Sequence, residues 1–194
     1  MIVAHRLKDL QRMIGRYDDQ RAYKELYTSL YGSLFSFTKS IVASREMAEE
    51  IVSDVFINLW QRRKDLEKIE NLKVYLYVAA RNTSFNYLDK QKRTPTNRLD
   101  DLDSELISIY FDPEQLLVTA DMLALIQKAV DLLPPKCKLI FKLIKDDGLR
   151  YREVAEILGL SVKTIENQIS IALEKIGNSV PFEVSRSIPS TAKH

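Results

Sequence analysis

The sequence predicts an all-α protein: two small helical domains joined by a flexible acidic linker. Three observations carry this. Glycine is rare, five in 194 residues, and helix formers dominate. Apolar residues recur at i, i+3 and i+4 along most of the chain, the period of a helix with one buried face. A basic stretch followed by an acidic one, punctuated by Pro95 and Pro113, interrupts that pattern near the middle. A chain of this length suits one medium domain or two small ones.

The first domain is read as residues 18–93. From Asp19 to Val42, Ala22, Tyr23, Leu26, Tyr27, Leu30, Tyr31, Leu34 and Phe35 form a helical stripe. Ser44 is an N-cap, and Glu46, Glu49 and Glu50 follow where the helix dipole favours acids. The stripe resumes as Met47, Ala48, Ile51, Val52, Val55, Phe56, Leu59 and Trp60, and Arg62, Arg63 and Lys64 are expected to close that helix. Asn71 caps a third helix running to about Gln91, with Leu72, Leu76, Val78, Ala79, Phe85 and Leu88 as its apolar set. Residues 94–113 are the linker, where Asp100, Asp101, Asp103, Glu105 and Asp112 concentrate negative charge.

The second domain is read as residues 114–180. One helix runs from Glu114 to Leu133, and Pro134 and Pro135 start another that reaches about Asp146. Asp147-Gly148 is a turn, and two shorter helices follow, Tyr151 to Leu158 and Val162 to about Ile176. Residues 181–194, rich in Ser, Pro and Thr, are expected to form a frayed tail.

Composition argues against catalysis. His5 and His194 sit at opposite ends, and there is no Gly-rich phosphate loop. No metal or cofactor is expected. The single cysteine, Cys137, lies in an apolar helical pattern and suits plain packing in a reducing compartment. No apolar run approaches the ~18–20 residues of a membrane span, and Met1 to Arg16 lacks a signal-peptide core. A cytoplasmic protein is expected. The net charge of +2 gives no reason to infer nucleic-acid binding, so the distribution of charge has to decide.

The strongest local signal spans Tyr151 to Ala172. Ala155 is small where two helices cross, Gly159 stands at the turn, and Ile165 plugs back into the first helix. That spacing is a helix-turn-helix. Ser161 caps the second helix, in which Val162, Ile165, Ile169, Ala172, Leu173 and Ile176 are expected to face inward. Lys163, Thr164, Glu166, Asn167 and Ser170 are left outward, able to lie in a major groove. Arg150 and Arg152 are placed for phosphates, which set register and not sequence.

In the first domain, Asp54-Val55-Phe56-Ile57-Asn58-Leu59-Trp60, then Tyr75-Leu76-Tyr77-Val78-Ala79-Ala80-Arg81-Asn82, then Asn86-Tyr87-Leu88-Asp89-Lys90 follow in order. With them the chain resembles extracytoplasmic-function (ECF) sigma factors. The resemblance covers roughly residues 18–93 (region two) and 114–178 (region four). Ser161 to Ile169 looks like the version common in Bacteroidetes members. The resemblance implies a specificity subunit that binds core RNA polymerase, at the β′ clamp and the β flap, and directs it to promoter DNA.

It further implies roles for residues. Asp54, Asn58, Gln61 and Arg62 would meet the clamp, with Phe56 and Trp60 left to the core. Asn82 matches the asparagine that lines the pocket for a base flipped from the −10 element. Its amide offers both donor and acceptor to a base edge. Among Tyr75, Tyr77, Phe85 and Tyr87, one or two would stack on bases, and Arg81, Lys90, Lys92 and Arg93 would follow the backbone. Arg150, Arg152, Ser161, Lys163, Thr164, Glu166, Asn167 and Ser170 would read the −35 element. Glu166 and Ile171 stand where many members carry arginine, so the −35 sequence does not carry over. The acidic linker is either a solvated tether or a nucleic-acid mimic inside the polymerase channel. An anti-sigma partner, often membrane-anchored in this family, is also implied.

Stacking in duplex DNA averages ~1.4 kcal/mol per step, so opening about ten pairs costs on the order of 10 kcal/mol or more. One base pocket and a stack or two cannot supply that. Core polymerase has to hold the bubble, and the free chain should bind promoters weakly. Two other readings share the helix-turn-helix or the helical build: a free-standing regulator with a helical dimerisation or sensor domain, and a helical adaptor. A dimerisation domain needs no Asn82 with a basic, aromatic flank, and an adaptor leaves the outward polar face of Val162–Ile176 unexplained.

Overall fold

The computed structural model describes residues 4–91 and 120–179, and every described element is helical. The linker and tail read from the sequence, with Lys92 and Arg93, lie outside the described residues. The first body contains α1 (Ala4–Tyr17), α2 (Gln20–Val42), α3 (Arg45–Gln61), a 3-10 segment (Arg63–Lys68) and α4 (Leu72–Gln91). The second contains α5 (Ala120–Asp131), α6 (Pro135–Lys145), α7 (Tyr151–Leu158) and α8 (Val162–Ser179).

Local sequence explains most boundaries. Asp19 caps α2 by accepting from the Arg21 and Ala22 amides at 2.8 and 3.0 Å. Ser44 caps α3 through the Met47 amide, and Asn71 caps α4 through the Val74 amide. Pro134 precedes α6 as N-cap and Pro135 is its first residue, where a missing N–H costs nothing. The predicted stripe on α2 splits in two. Ala22, Leu26, Leu30 and Leu34 are buried, while Tyr23, Tyr27, Tyr31 and Phe35 form a half-buried aromatic ladder. That ladder meets Phe56 and Trp60 of α3: Tyr27 and Phe56 are 4.7 Å apart between centroids, and Tyr23 and Trp60 4.8 Å.

Two expectations need correction. Arg62 closes α3 as its C-cap, but Arg63 and Lys64 lie beyond the helix end. Arg63 and Lys64 open the 3-10 segment and both grip Asp18, whose carboxyl they hold below its ordinary range. Val162 faces outward from the first turn of α8, where a neighbouring helix no longer covers it.

The stretch before residue 18 is structural. Leu7, Leu10 and Ile14 of α1 are buried against α2 and the 3-10 segment. Gln11, itself buried, donates through Nε2 to the carbonyls of Leu66 and Ile69, the latter at 2.7 Å. These carbonyls lie at the end of the 3-10 segment, where Leu66 still accepts from the Ile69 amide. Arg16 braces the same segment through Glu67. α1 thereby fixes the corner from which α4 departs.

Candidate nucleic-acid interface

The second body presents a helix-turn-helix. Ala155 is buried where α7 crosses α8, Ile165 is fully buried, and Gly159 ends α7 at φ 67°. A side chain on Gly159 would be strained by that φ, and its Cβ would stand 3.2 Å from Arg81 Nη1. Ser161 Oγ accepts from the Thr164 amide at 3.0 Å and lies 2.8 Å from Thr164 Oγ1, which closes the cap of α8. Lys163, Glu166, Asn167 and Ser170 are exposed along one side of α8. Lys163 Nζ and Glu166 Oε2 form an exposed pair at 3.4 Å, so Glu166 partly neutralises the one cation on that face. Ser170 bonds back to the Glu166 carbonyl. Arg150 and Arg152 are exposed at the start of α7, where the Glu153 carboxylate accepts from the Arg150 amide.

α4 carries the other cluster. Asn82 and Lys90 are exposed, and Tyr75 is partly so. Of the four aromatics, Tyr77 is wholly buried, Phe85 and Tyr87 are half-buried, and the Tyr87 hydroxyl donates to Glu50 at 2.9 Å. Tyr75 is therefore the best exposed for stacking. Asn82 Oδ1 accepts from Arg81 Nε and Nη2 at 3.2 and 2.9 Å.

On α3, Asp54, Asn58, Gln61 and Arg62 share one exposed face, as expected, and Phe56 and Trp60 turn inward. Sequence reasoning missed Ile57, 52% exposed in the centre of that face. An apolar side chain between polar neighbours at positions i+3 and i+4 from Asp54 was the available signal.

The two clusters touch. Lys73, Tyr77 and Arg81 fall at i, i+4 and i+8 on α4 and face the second body. Lys73 Nζ donates to the Asp147 carbonyl, and burial lowers its pKa. Arg81 Nη1 donates to the Ile157 carbonyl at 2.6 Å, placing a cation at the C-terminal end of α7 where the helix dipole favours it. Asn71 Nδ2 donates to Glu153 Oε1 at 2.7 Å. The Tyr77 hydroxyl is buried beside Asp147 and Ser33, though no hydrogen bond of good geometry closes on it. Arg81, read from the sequence as a backbone contact, is half-buried in this contact.

Comparison with known proteins assigns the architecture. Residues 26–94 match the family model of sigma-70 region 2, and residues 123–176 match sigma-70, region 4. The chain is 26% identical over 169 residues to the ECF RNA polymerase sigma-E factor of Escherichia coli K12, covering 84% of this chain and 88% of that protein. The chain belongs to the sigma-70 family, as an ECF sigma factor. The sigma-E factor of Haemophilus influenzae is 25% identical over the same share of this chain and 89% of its own. Among solved structures, the sigma factor RpoE of Bartonella quintana, in complex with the anti-sigma factor NepR, superposes with a TM-score of 0.51 at 25% identity. That match covers 80% of this chain and 94% of that one. CnrH, in complex with the cytosolic domain of CnrY, shares the fold at a TM-score of 0.53 and 20% identity, covering 88% of this chain and 94% of that one. A sigma factor is a transcription-initiation subunit, and the region 2 match separates this one from a free-standing helix-turn-helix regulator.

Proposed function

We propose that the roles of this sigma factor divide between its two bodies, with α4 reading the −10 element and α8 the −35 element. The observation that carries this is Asn82, an exposed amide in the middle of a helix, where asparagine is a poor choice on propensity alone. Arg81 is its immediate partner and Tyr75 an exposed ring on the same helix. A flipped base would exchange hydrogen bonds with the Asn82 amide and stack on an aromatic neighbour, with Arg81, Lys90, Lys92 and Arg93 along the backbone. Lys163, Glu166, Asn167 and Ser170 are the candidates for base contact at −35, with Ser161 and Thr164 committed to the cap. Arg150 and Arg152 would hold phosphates. Asp54, Asn58, Gln61 and Arg62, with Ile57 among them, would meet the β′ clamp, and the second body would meet the β flap.

The chain performs no reaction of its own in this reading. Among the described residues no helix is long and apolar enough to cross a membrane, which fits work in the cytoplasm. The Ser161–Ile169 sequence supports a Bacteroidetes-like subgroup. The sigma factor RpoE of similar fold was captured with the anti-sigma factor NepR, which supports an anti-sigma partner here, membrane-anchored or free. Domain limits of 18–93 and 114–180 are extended at the front, because α1 braces the first body.

Asn82→Ala tests the reading. It should lower open-complex formation by roughly 10-fold or more, the scale of one well-made base contact, and leave affinity for core polymerase unchanged. A loss of core affinity with normal melting would make Asn82 a structural residue.

A further inference from the structure

We infer that the polymerase-facing surface of α3 continues onto α4 through Tyr87, whose hydroxyl, bonded to Glu50, makes it a positioning residue for core binding and not a base-stacking ring. This deepens the function proposed above and rests on its reading of α3 as the helix that meets the clamp. Directions along α4 separate the aromatic side chains. Successive residues turn by about 100° around a helix axis. Tyr75 lies seven residues before Asn82, so the two fall within about 20° of each other, on one face. Tyr87 lies five residues after Asn82 and points about 140° away. It is half-buried against the core, and its helix packs on α3. The ring is turned from the face that would receive a base.

The Tyr87 hydroxyl ends on α3. Oη donates to Glu50 Oε2 at 2.9 Å. That bond raises the phenol's pKa, and the charge of Asp54 adds to it, so both carboxylates are neighbours of the hydroxyl. Glu50, Asp54 and Asn58 follow one another at four-residue intervals on α3 and are all exposed, with Ile57 among them. Tyr87 therefore borders the face assigned to the clamp. A partner for that face carries guanidinium or ammonium groups beside an apolar side chain, opposite the two carboxylates and Ile57. An exposed glutamate ordinarily loses rotamer freedom when it binds such a cation. Tyr87 orders Glu50 beforehand through one carboxylate oxygen, and Oε1 is left to accept from the partner.

The test uses the full chain, each variant competing with labelled parent for core polymerase. Tyr87→Phe keeps the ring and removes only the hydroxyl, so it separates the two roles. It should weaken core binding roughly 3–10-fold, the scale of one side chain's lost pre-ordering, with the thermal melt unchanged. Glu50→Gln keeps an acceptor for the phenol but removes the charge. It should weaken core binding at least as much and make it less sensitive to salt. The double variant should bind no more weakly than Glu50→Gln, since Tyr87 acts only through the Glu50 charge. Parent-level affinity in Tyr87→Phe overturns the inference. A loss of affinity that comes with a lowered melting temperature also overturns it, because the bond is then only structural, and so do losses that add in the double variant. Failure of the parent to bind core removes the function proposed above and this inference with it. A parent that binds, beside a Tyr87→Phe that binds equally well, removes the inference alone.

Discussion

Asp146 is placed to make stability fall as pH rises. It is the C-cap of α6, so its carboxylate sits at the negative end of a helix dipole. Burial pushes its pKa to about 7, Asp147 adds repulsion, and the Lys142 ammonium pulls the other way. In the unfolded chain the group returns to an ordinary 3.8. A folded-state pKa raised in this way means that the neutral form is favoured by folding. The advantage is intact below the unfolded value and is lost as pH climbs through about 7. At about 1.36 kcal/mol per unit, the ceiling on the cost of the charge is about 4 kcal/mol above pH 7. Partial exposure reduces that to about 1–3 kcal/mol. Asp146→Asn removes the charge with little change in volume. It should raise stability by that amount at pH 8, several degrees in Tm for a domain of this size, and by almost nothing at pH 4. Urea and thermal melts followed by circular dichroism at pH 4, 6 and 8 measure it. An equal gain at all three values would show that packing, not charge, is responsible. A loss at pH 8 would show that the pair with Lys142 outweighs burial.

Two further expectations follow from particular contacts. Gln11→Ala removes the side-chain donor of the Ile69 carbonyl in a buried corner, leaving Leu66 only its bond from the Ile69 amide, and should cost about 1–3 kcal/mol in a urea melt; a smaller effect would mean that water replaces the amide. Replacing Lys163 and Asn167 together with alanine should weaken selection at the −35 element by roughly 10–100-fold in competition footprinting with core present, while core affinity holds; unchanged promoter choice would move the contacts elsewhere on α8.

How far the sequence could be read depended on how local the cause was. The caps at Ser44, Asn71 and Ser161 and the turn at Gly159 each involve a few neighbouring residues, and each is found in the structure. Helix α1 was not read from the sequence, because the short stripe of Leu7, Leu10 and Ile14 is interspersed with charge and what holds it is a partner fifty-five residues away. The 3-10 segment replaced a simple helix end because Asp18, at the α1–α2 corner, captures Arg63 and Lys64. Arg81 read as a DNA-facing cation because its actual acceptor, the Ile157 carbonyl, is 76 residues distant and carries no side-chain signature. Exposed polar faces on α3 and α8 followed from periodicity, whereas Val162 was assigned inward by hydrophobicity alone and the exposed Ile57 was missed.

The central claim is that this chain confers promoter choice on core RNA polymerase. Run-off transcription with purified core, with and without the protein, on genomic promoter fragments tests it most directly. The account predicts discrete, protein-dependent transcripts, co-elution of the protein with core, and little binding of promoter DNA by the protein alone. Absence of any specific transcript together with failure to co-elute would contradict it.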